Sequence, residues 1–276
     1  MKPGEPIGVR LGQLIASRDG LTLTAQPGAR VRVATESVSV TGVDLGVTRK
    51  QGGALDGRLR ASGSMNKSGR VEAKLDAEGF AVGPWIEFAQ TFGGAEAASS
   101  PVAGTLDAAV TLRGTLRSPA IAGSVHFRGG QVKSLTGVDV AASFKTTASN
   151  VSGQLDARWQ AQRVTAQGTI PLGVRLDGSK MRLPKDRTLP IELALKTENI
   201  DLKALTAGLG LPPLKGAVAA DASVTGTLGQ PRGKVSLAVT GFAGLGVKPL
   251  DVQVGVEAQA GVADASVPVE RRSTRV

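Results

Sequence analysis

The chain has 276 residues, enough for one large domain or two ordinary ones, and its 33 basic and 23 acidic side chains give a net charge of +10. It contains no cysteine, which excludes disulfides, thiolate metal sites and cysteine nucleophiles. Aromatic residues make up only 3% of the chain. Because a compact core usually buries many aromatic side chains, this composition favours small apolar residues spread over an extended architecture.

Apolar and polar residues alternate through about a dozen segments of the chain, beginning with RVRVATESVSV at residues 30–40. Successive side chains of a strand point to opposite faces, so the pattern predicts strands with one apolar face and one wetted face. Parallel strands buried on both faces would show continuous apolar runs and would need helical crossovers. We therefore predict an all-β fold: an elongated antiparallel repeat sheet, curved into an open apolar groove.

The apolar positions of these strands are the candidate lining of the groove. The candidates are Val71, Leu75, Leu106, Val110, Leu112, Ile121, Val125, Ile191, Leu193, Val218, Val224, Val235 and Leu237. Most of them are small or medium-sized aliphatic residues. Such residues keep a groove open, whereas the inner faces of a closed β-sandwich need bulky interdigitating side chains.

Two stretches depart from the alternation and predict short amphipathic helices. The first, near residues 84–92, has three aromatic side chains at helical spacing: Trp85, Phe88 and Phe92. The second, near residues 201–208, follows Asp201, a suitable N-cap. The aromatic helix could cap a groove or touch a membrane, but packing on its own sheet is the simpler interpretation.

The order of strands, helix and strand pair occurs twice, which predicts one repeat unit at residues 51–151 and another at 152–256. The clearest repeated residues are Gly104, Gly114, Thr115, Leu116 and Pro119, which return 112 positions later as Gly216, Gly226, Thr227, Leu228 and Pro231. Proline lacks an N–H and fixes φ, so each copy predicts a hairpin corner with proline near a strand start. Residues 1–50 are predicted as N-terminal strands of the same sheet, and 257–276 as a ragged basic tail.

Two segments carry a resemblance to a known family: GTLDAAVTLRGTLRSPAIAGSVHFRGGQV at residues 104–132 and TENIDLKALTAGLGLPPLKGAVAADASVTGTLGQPRGKVSLAV at 197–239. Their course of strand, helix and Gly-Thr-Leu corner resembles the TamB-type members of the AsmA-like superfamily, over roughly residues 50–250. The glycine after the corner proline is displaced between the copies, and the N-terminal anchor usual in the family is missing. We therefore expect this chain to be a segment of a longer, inner-membrane-anchored protein.

The resemblance implies a bridge-like lipid-transfer and envelope-assembly protein in the periplasm of a diderm bacterium. Its apolar groove would carry phospholipid acyl chains between the inner and outer membranes, and the candidate residues above would contact them. The resemblance also implies an outer-membrane assembly partner and contact with the inner membrane through the missing anchor. No cofactor and no enzymatic activity are implied.

The residues themselves offer little for catalysis. His126 is the only histidine, which excludes a multi-histidine metal site and leaves little for a catalytic triad. The carboxylates are spread along polar faces without the pairing of a glycosidase or a magnesium site. Basic residues are not interleaved with aromatic ones, so a nucleic-acid partner is not expected.

Two alternatives remain open at this point. The chain could be a structural or adhesive β-repeat module whose apolar face is simply its closed core, with no ligand. It could also be a β-helix enzyme acting on polysaccharide, although it lacks clustered carboxylates and aromatic sugar platforms.

Overall fold

The structure of the protein, a computed structural model, describes residues 6–18, 21–48, 57–83, 86, 102–132, 134–175, 180–182, 186–244, 247–259, 262–266 and 269–271. The described residues form mostly antiparallel β-strands in an open sheet, which confirms the predicted all-β class. The chain divides into two compact units. Unit 1 comprises Met1–Gly129, Ser143–Ala148 and Val174–Met181; unit 2 comprises Gly130–Ala142, Ser149–Gly173 and Arg182–Val276.

The strands of unit 1 pair largely in chain order. They are β1 (Ile7–Arg10), β2 (Leu14–Arg18), β3 (Leu21–Ala25), β4 (Arg30–Ala34), β5 (Ser37–Thr48), β6 (Arg58–Asn66), β7 (Arg70–Ala81), β8 (Val102–Thr115) and most of β9 (Ser118–Val132). The next strand, β10 (Leu135–Thr146), is shared between the units. From β4 to β8 each strand pairs with the next, while β1 joins β4 and the β2–β3 pair joins the second half of β5.

Unit 2 has the same kind of strand order with one helix inserted. Its main elements are β11 (Val151–Trp159), β12 (Gln162–Ile170), β15 (Glu192–Asp201), α1 (Leu202–Leu209), β16 (Lys215–Gly226), β17 (Pro231–Gly244), β18 (Val247–Gln259), β19 (Val262–Ser266) and β20 (Val269–Arg271). Two short strands, β13 (Gly173–Arg175) and β14 (Lys180–Arg182), form a separate pair whose residues belong mostly to unit 1. The stretch 257–276, expected as a tail, contains β19 and β20, and both pair with β18.

The repeated Gly-Thr-Leu element forms a hairpin corner in both copies, as predicted. In each, a threonine hydroxyl accepts a hydrogen bond from the backbone N–H three residues later. The bonds run from Ser118 N to Thr115 Oγ1 and from Gln230 N to Thr227 Oγ1, both at 3.1 Å. Pro231 is the first residue of β17, where its missing N–H costs no ladder bond.

Helix α1 confirms the second predicted helix and its cap. The Oδ1 of Asp201 accepts hydrogen bonds from the backbone N–H groups of Lys203 at 2.8 Å and Ala204 at 3.4 Å. These bonds satisfy donors that have no partner inside the first turn. The helix ends at Gly210, whose φ of +66° suits a residue without a Cβ. Of the other predicted helix, near residues 84–92, only Ile86 lies within the described residues.

Several strands contain a β-bulge, in which one strand has an extra residue opposite its partner. The extra residue adopts a left-handed conformation. The residues concerned are Gly42 in β5, Gly79 in β7, Asn199 in β15 and Gly241 in β17. At each bulge the apolar period lengthens from two residues to three, so that Ala77 and Phe80 of β7 stand opposite Ala108 and Leu106 of β8.

Candidate functional site

One face of unit 1 is formed by apolar side chains. Residues opposite each other in an antiparallel pair point to the same face. Leu75 of β7 stands opposite Val110 on one side and Ala61 on the other, and Val43 continues this row into β5. A second row consists of Val33, Val38, Met65 and Val71. These two rows lie on one side of the strands, which we call the unit 1 apolar face.

Unit 2 has an apolar face of the same construction. Leu195 of β15 stands opposite Ala166 of β12 and Ala222 of β16. The row continues through Val235 of β17 to Val256 of β18. A second row consists of Gly168, Leu193, Val224 and Gly233. These rows lie on one side of the strands, which we call the unit 2 apolar face.

Both apolar faces are accessible. In unit 1 Met65 is 43% exposed and Leu75 40%; in unit 2 Leu193, Leu195 and Val235 are 40% to 41% exposed. Aliphatic side chains inside a packed core are close to fully buried. The described apolar side chains that reach that state are few: Ala29, Val47, Pro119, Leu135, Pro171 and Ile200. The apolar faces are therefore surfaces that other molecules can reach.

The strand registers place ten of the thirteen predicted groove residues on these two faces. In unit 1 the strand registers assign Val71, Leu75, Leu106, Val110 and Leu112 to the unit 1 apolar face. In unit 2 they assign Leu193, Val218, Val224, Val235 and Leu237 to the unit 2 apolar face. The other three candidates, Ile121, Val125 and Ile191, are half-buried. The lipid contacts of all thirteen residues stay a prediction.

Sequence reasoning missed the apolar residues that follow each bulge. Phe80, Ile200 and Phe242 rejoin the apolar faces opposite Leu106, Val218 and Leu250, respectively. The signal was present in the sequence: each follows a polar residue and then a glycine or asparagine, which suit a left-handed backbone. Where the apolar alternation shifts by one residue at a polar residue followed by glycine or asparagine, the strand contains a bulge and does not end.

The opposite faces carry ion pairs, both within strands and between neighbouring strands. In unit 1 Arg58 Nε lies 3.1 Å from Asp44 Oδ1, and Arg60 bonds to Glu78 at 3.1 Å. In unit 2 the carboxylate of Asp156 accepts hydrogen bonds from Arg158 at 2.8 Å and from Arg163 at 2.6 Å. Hydrogen bonds from these two guanidinium groups hold the pKa of the Asp156 carboxyl well below its usual range.

A cavity of about 430 Å³ lies in unit 1 at the bulge of β5. Gly42, Asp44, Arg60, Lys74 and Asp76 contribute to its lining. Its cations already have carboxylate partners: Lys74 Nζ lies 2.8 Å from Asp76, and Arg60 lies within ion-pair distance of Asp44. With its charges neutralised locally, the cavity offers no evident attraction for a charged ligand.

The unit 2 apolar face has a polar exception at the β11–β12 hairpin. Trp159 stands opposite Gln162, which is only 5% exposed. Their side-chain atoms Trp159 Nε1 and Gln162 Oε1 are buried without a hydrogen-bond partner in the described part of the chain. An unsatisfied buried polar group costs about 1–3 kcal/mol. Removing these unsatisfied polar groups should therefore increase the stability of unit 2.

The described residues contain no group of three or more histidine, aspartate or glutamate side chains that could hold a metal ion. His126, the only histidine, is a half-buried residue of β9. Within the described ranges, no helix has both the length and the apolar character needed to cross a membrane.

No family model, curated protein or solved structure matches this chain. The resemblance carried by residues 104–132 and 197–239 therefore stays a prediction.

Proposed function

We propose that this chain is a non-enzymatic segment of a bridge-like lipid-transfer and envelope-assembly protein, and that its apolar faces hold phospholipid acyl chains. The observation that carries the proposal is the exposure of these faces. A closed structural module would bury side chains such as Leu75 and Leu195, yet each is 40% exposed. An acyl chain is the partner that such a surface suits, because it needs no polar contacts.

The energetics favour a lipid chain on these faces. Each methylene group removed from water contributes about 0.8 kcal/mol. Small residues stand beside larger ones in these rows, as Ala61 does beside Leu75 and Ala222 beside Val235. A chain several methylenes long would gain enough to stay bound while remaining able to slide, since no polar group fixes its position.

The cellular setting of the proposal rests on the family resemblance. It assigns the protein to the periplasm of a diderm bacterium, between an inner-membrane anchor and an outer-membrane assembly partner. Phospholipid would be the cargo, and nucleic acid would have no role. The two repeated segments of the sequence support this proposal.

The experiment is native mass spectrometry of the full chain after gentle extraction, with identification of the lipids released. We expect phospholipid in a defined stoichiometry. Val110→Arg places a charge on the unit 1 apolar face and should remove the lipid bound there. The matched control is Ala109→Arg, one residue away on the polar face, where the new guanidinium stands opposite Asp76 and should leave the lipid in place.

Two results would contradict the proposal. One is a folded, lipid-free chain that also fails to bind a fluorescent apolar dye, which would support the structural or adhesive module instead. The other is unfolding of Val110→Arg while Ala109→Arg stays folded, since a charge destroys a closed core but not an open face. Circular dichroism of both variants distinguishes these cases.

A further inference from the structure

Three arginines lie together on the polar face at the β1 edge of unit 1. Arg10 of β1 stands directly opposite Arg30 of β4, and Arg32 follows two residues further along the same face. Like charges opposite each other on neighbouring strands destabilise the pair. A register that places Arg10 opposite Arg30, with Arg32 two residues away on the same face, therefore indicates a need for positive charge at this place.

Among the described residues, the neighbours of these arginines do not neutralise their charge. Their partners on the next strand are uncharged: Arg30 stands opposite Thr41 and Arg32 opposite Ser39. No ion pair joins them to an acidic residue within the part of the chain that the structure describes. Elsewhere on this face, by contrast, arginines and lysines of β6 to β8 have carboxylate partners.

The other face of the same strands is unusually exposed and apolar. Ile7 is 53% exposed, Val9 51% and Val33 44%, and Leu14 of the nearby β2 reaches 63%. These values exceed those at the centre of the unit 1 apolar face, where Leu75 is 40% exposed. The edge formed by β1, β2 and β4 thus combines exposed aliphatic side chains with a cluster of arginines that have no carboxylate partner among the described residues.

We propose that this edge of unit 1 docks on the surface of an anionic phospholipid bilayer. The aliphatic side chains enter the boundary between head groups and acyl chains, about 5–10 Å deep. The arginines, with their long apolar stems, extend from the opposite face to the lipid phosphates, which they bind as bidentate donors. Charge complementarity identifies the partner as anionic, and the apolar side chains identify it as a lipid surface rather than a soluble anion.

The proposal goes beyond the lipid-carrying function and does not depend on it. It concerns an intact membrane surface and the edge strands, whereas the proposed function concerns individual acyl chains on the apolar faces. Arg10→Gln/Arg30→Gln/Arg32→Gln should therefore keep any lipid detected by native mass spectrometry. Conversely, Val110→Arg should keep its binding to vesicles.

The test is co-sedimentation of the full chain with vesicles of equal parts phosphatidylcholine and phosphatidylglycerol. The triple variant Arg10→Gln/Arg30→Gln/Arg32→Gln should bind roughly 100-fold more weakly, because each arginine near an anionic surface contributes about a factor of five. The control Arg70→Gln/Lys215→Gln/Arg232→Gln removes the same charge from exposed positions outside β1, β2 and β4 and should bind like the unaltered chain. Raising the salt from about 0.1 M to 1 M should also weaken binding.

A further variant guards against misfolding as the cause. Arg10→Glu would place a carboxylate opposite Arg30, which should hold β1 and β4 together while weakening vesicle binding. Equal losses in the two triple variants would overturn the proposal, since net charge alone would then explain binding. It would also fail if the edge variant lost more affinity for single-stranded DNA than for vesicles, or if unaltered protein bound pure phosphatidylcholine equally well.

Discussion

The two repeat copies share a strand register although few of their residues are identical. In the first copy, formed by β6 to β9, Phe80 follows the bulge and stands opposite Leu106. In the second, formed by β12 and β15 to β17, Ile200 follows the bulge and stands opposite Val218. The two copies thus share the spacing of their apolar residues, including the extra residue of the bulge. Register follows from which side chains must share the apolar face, not from particular residues.

The copies differ in how each bulge is held. In the first copy the N–H of Gly79 donates to Asp107 Oδ1 at 2.8 Å, and Arg128 bonds to the other oxygen of that carboxylate. The second copy has Ala219 at the position of Asp107, and its bulge residue is Asn199 rather than glycine. The bulge is therefore stabilised by the Asp107 carboxylate in the first copy, whereas beside the bulge of the second copy the Thr197 hydroxyl accepts a hydrogen bond from the backbone N–H of Ala220 at 2.9 Å.

The copies also differ at the residue beside the bulge. Gly57 precedes β6 in the first copy with a φ of +118°, and a Cβ built there would lie 2.4 Å from the Cα of Phe80. In the second copy the same place before Arg163 is taken by Gln162, a buried side chain. One copy thus requires the absence of a side chain where the other accommodates an amide without a partner for its oxygen.

The largest expected effect is at this pair. Gly57→Ala should destabilise the protein by about 3 kcal/mol, because the methyl group meets backbone and φ is left-handed. Gln162→Leu, at the matching position, should leave stability unchanged or raise it by about 1 kcal/mol, since it removes an unsatisfied buried amide. Urea unfolding of the full chain followed by circular dichroism measures both. Equal losses in the two variants would contradict this difference and would mean that the Gln162 side chain stabilises the fold as much as Gly57 does.

The charged contact of the first copy should matter less. Asp107→Ala removes the acceptor of the Gly79 N–H and should lower the free energy of unfolding by about 1.5 kcal/mol. This value is smaller than for a buried contact, because the site is exposed. Asp107→Asn keeps a carbonyl acceptor and should lose less. Amide hydrogen exchange of Gly79 should accelerate in the alanine variant and stay slow in the asparagine variant. Unchanged exchange in both would show that the bulge does not depend on this side chain.

The smallest effect concerns the bulge residues themselves. Gly79→Ala should cost about 1 kcal/mol through backbone strain alone, because nothing lies within 4 Å of the new methyl group. Asn199→Gly should instead raise stability by about 0.5 kcal/mol, because it relieves a left-handed residue that has a Cβ. Thermal unfolding of the two variants tests whether their changes in stability have opposite signs. A loss on Asn199→Gly would indicate that the asparagine side chain stabilises its bulge.

The sequence predicted the parts of the fold that depend on local chemistry. Alternation predicted strands, Asp201 predicted the start of helix α1, and the Gly-Thr-Leu corners predicted hairpins. The bulges were missed because a one-residue shift in the apolar period also looks like a strand end. The pairing of Asp107 with Gly79 could not be foreseen, since these residues are far apart in the sequence and meet only once β7 and β8 are in register.

The candidate site divides in the same way. Residues such as Val110 and Val224 could be assigned to an apolar face from alternation alone, because a strand has only two faces. Alternation carries no information about what lies against that face, so the choice between a closed core and an exposed surface was open. The exposure of Leu75 and Leu195 required the tertiary structure.

The sequence by itself determined the secondary structure and the chemistry of each face, because both follow from side chains one to three residues apart. Only the tertiary structure decided which strands pair, where the bulges lie and which charges meet. Arg10 and Arg30 illustrate the limit, since twenty residues separate them and only the β1–β4 register places one opposite the other. Contacts of this kind depend on the register of whole strands, and that register is set jointly by all the apolar residues of the sheet.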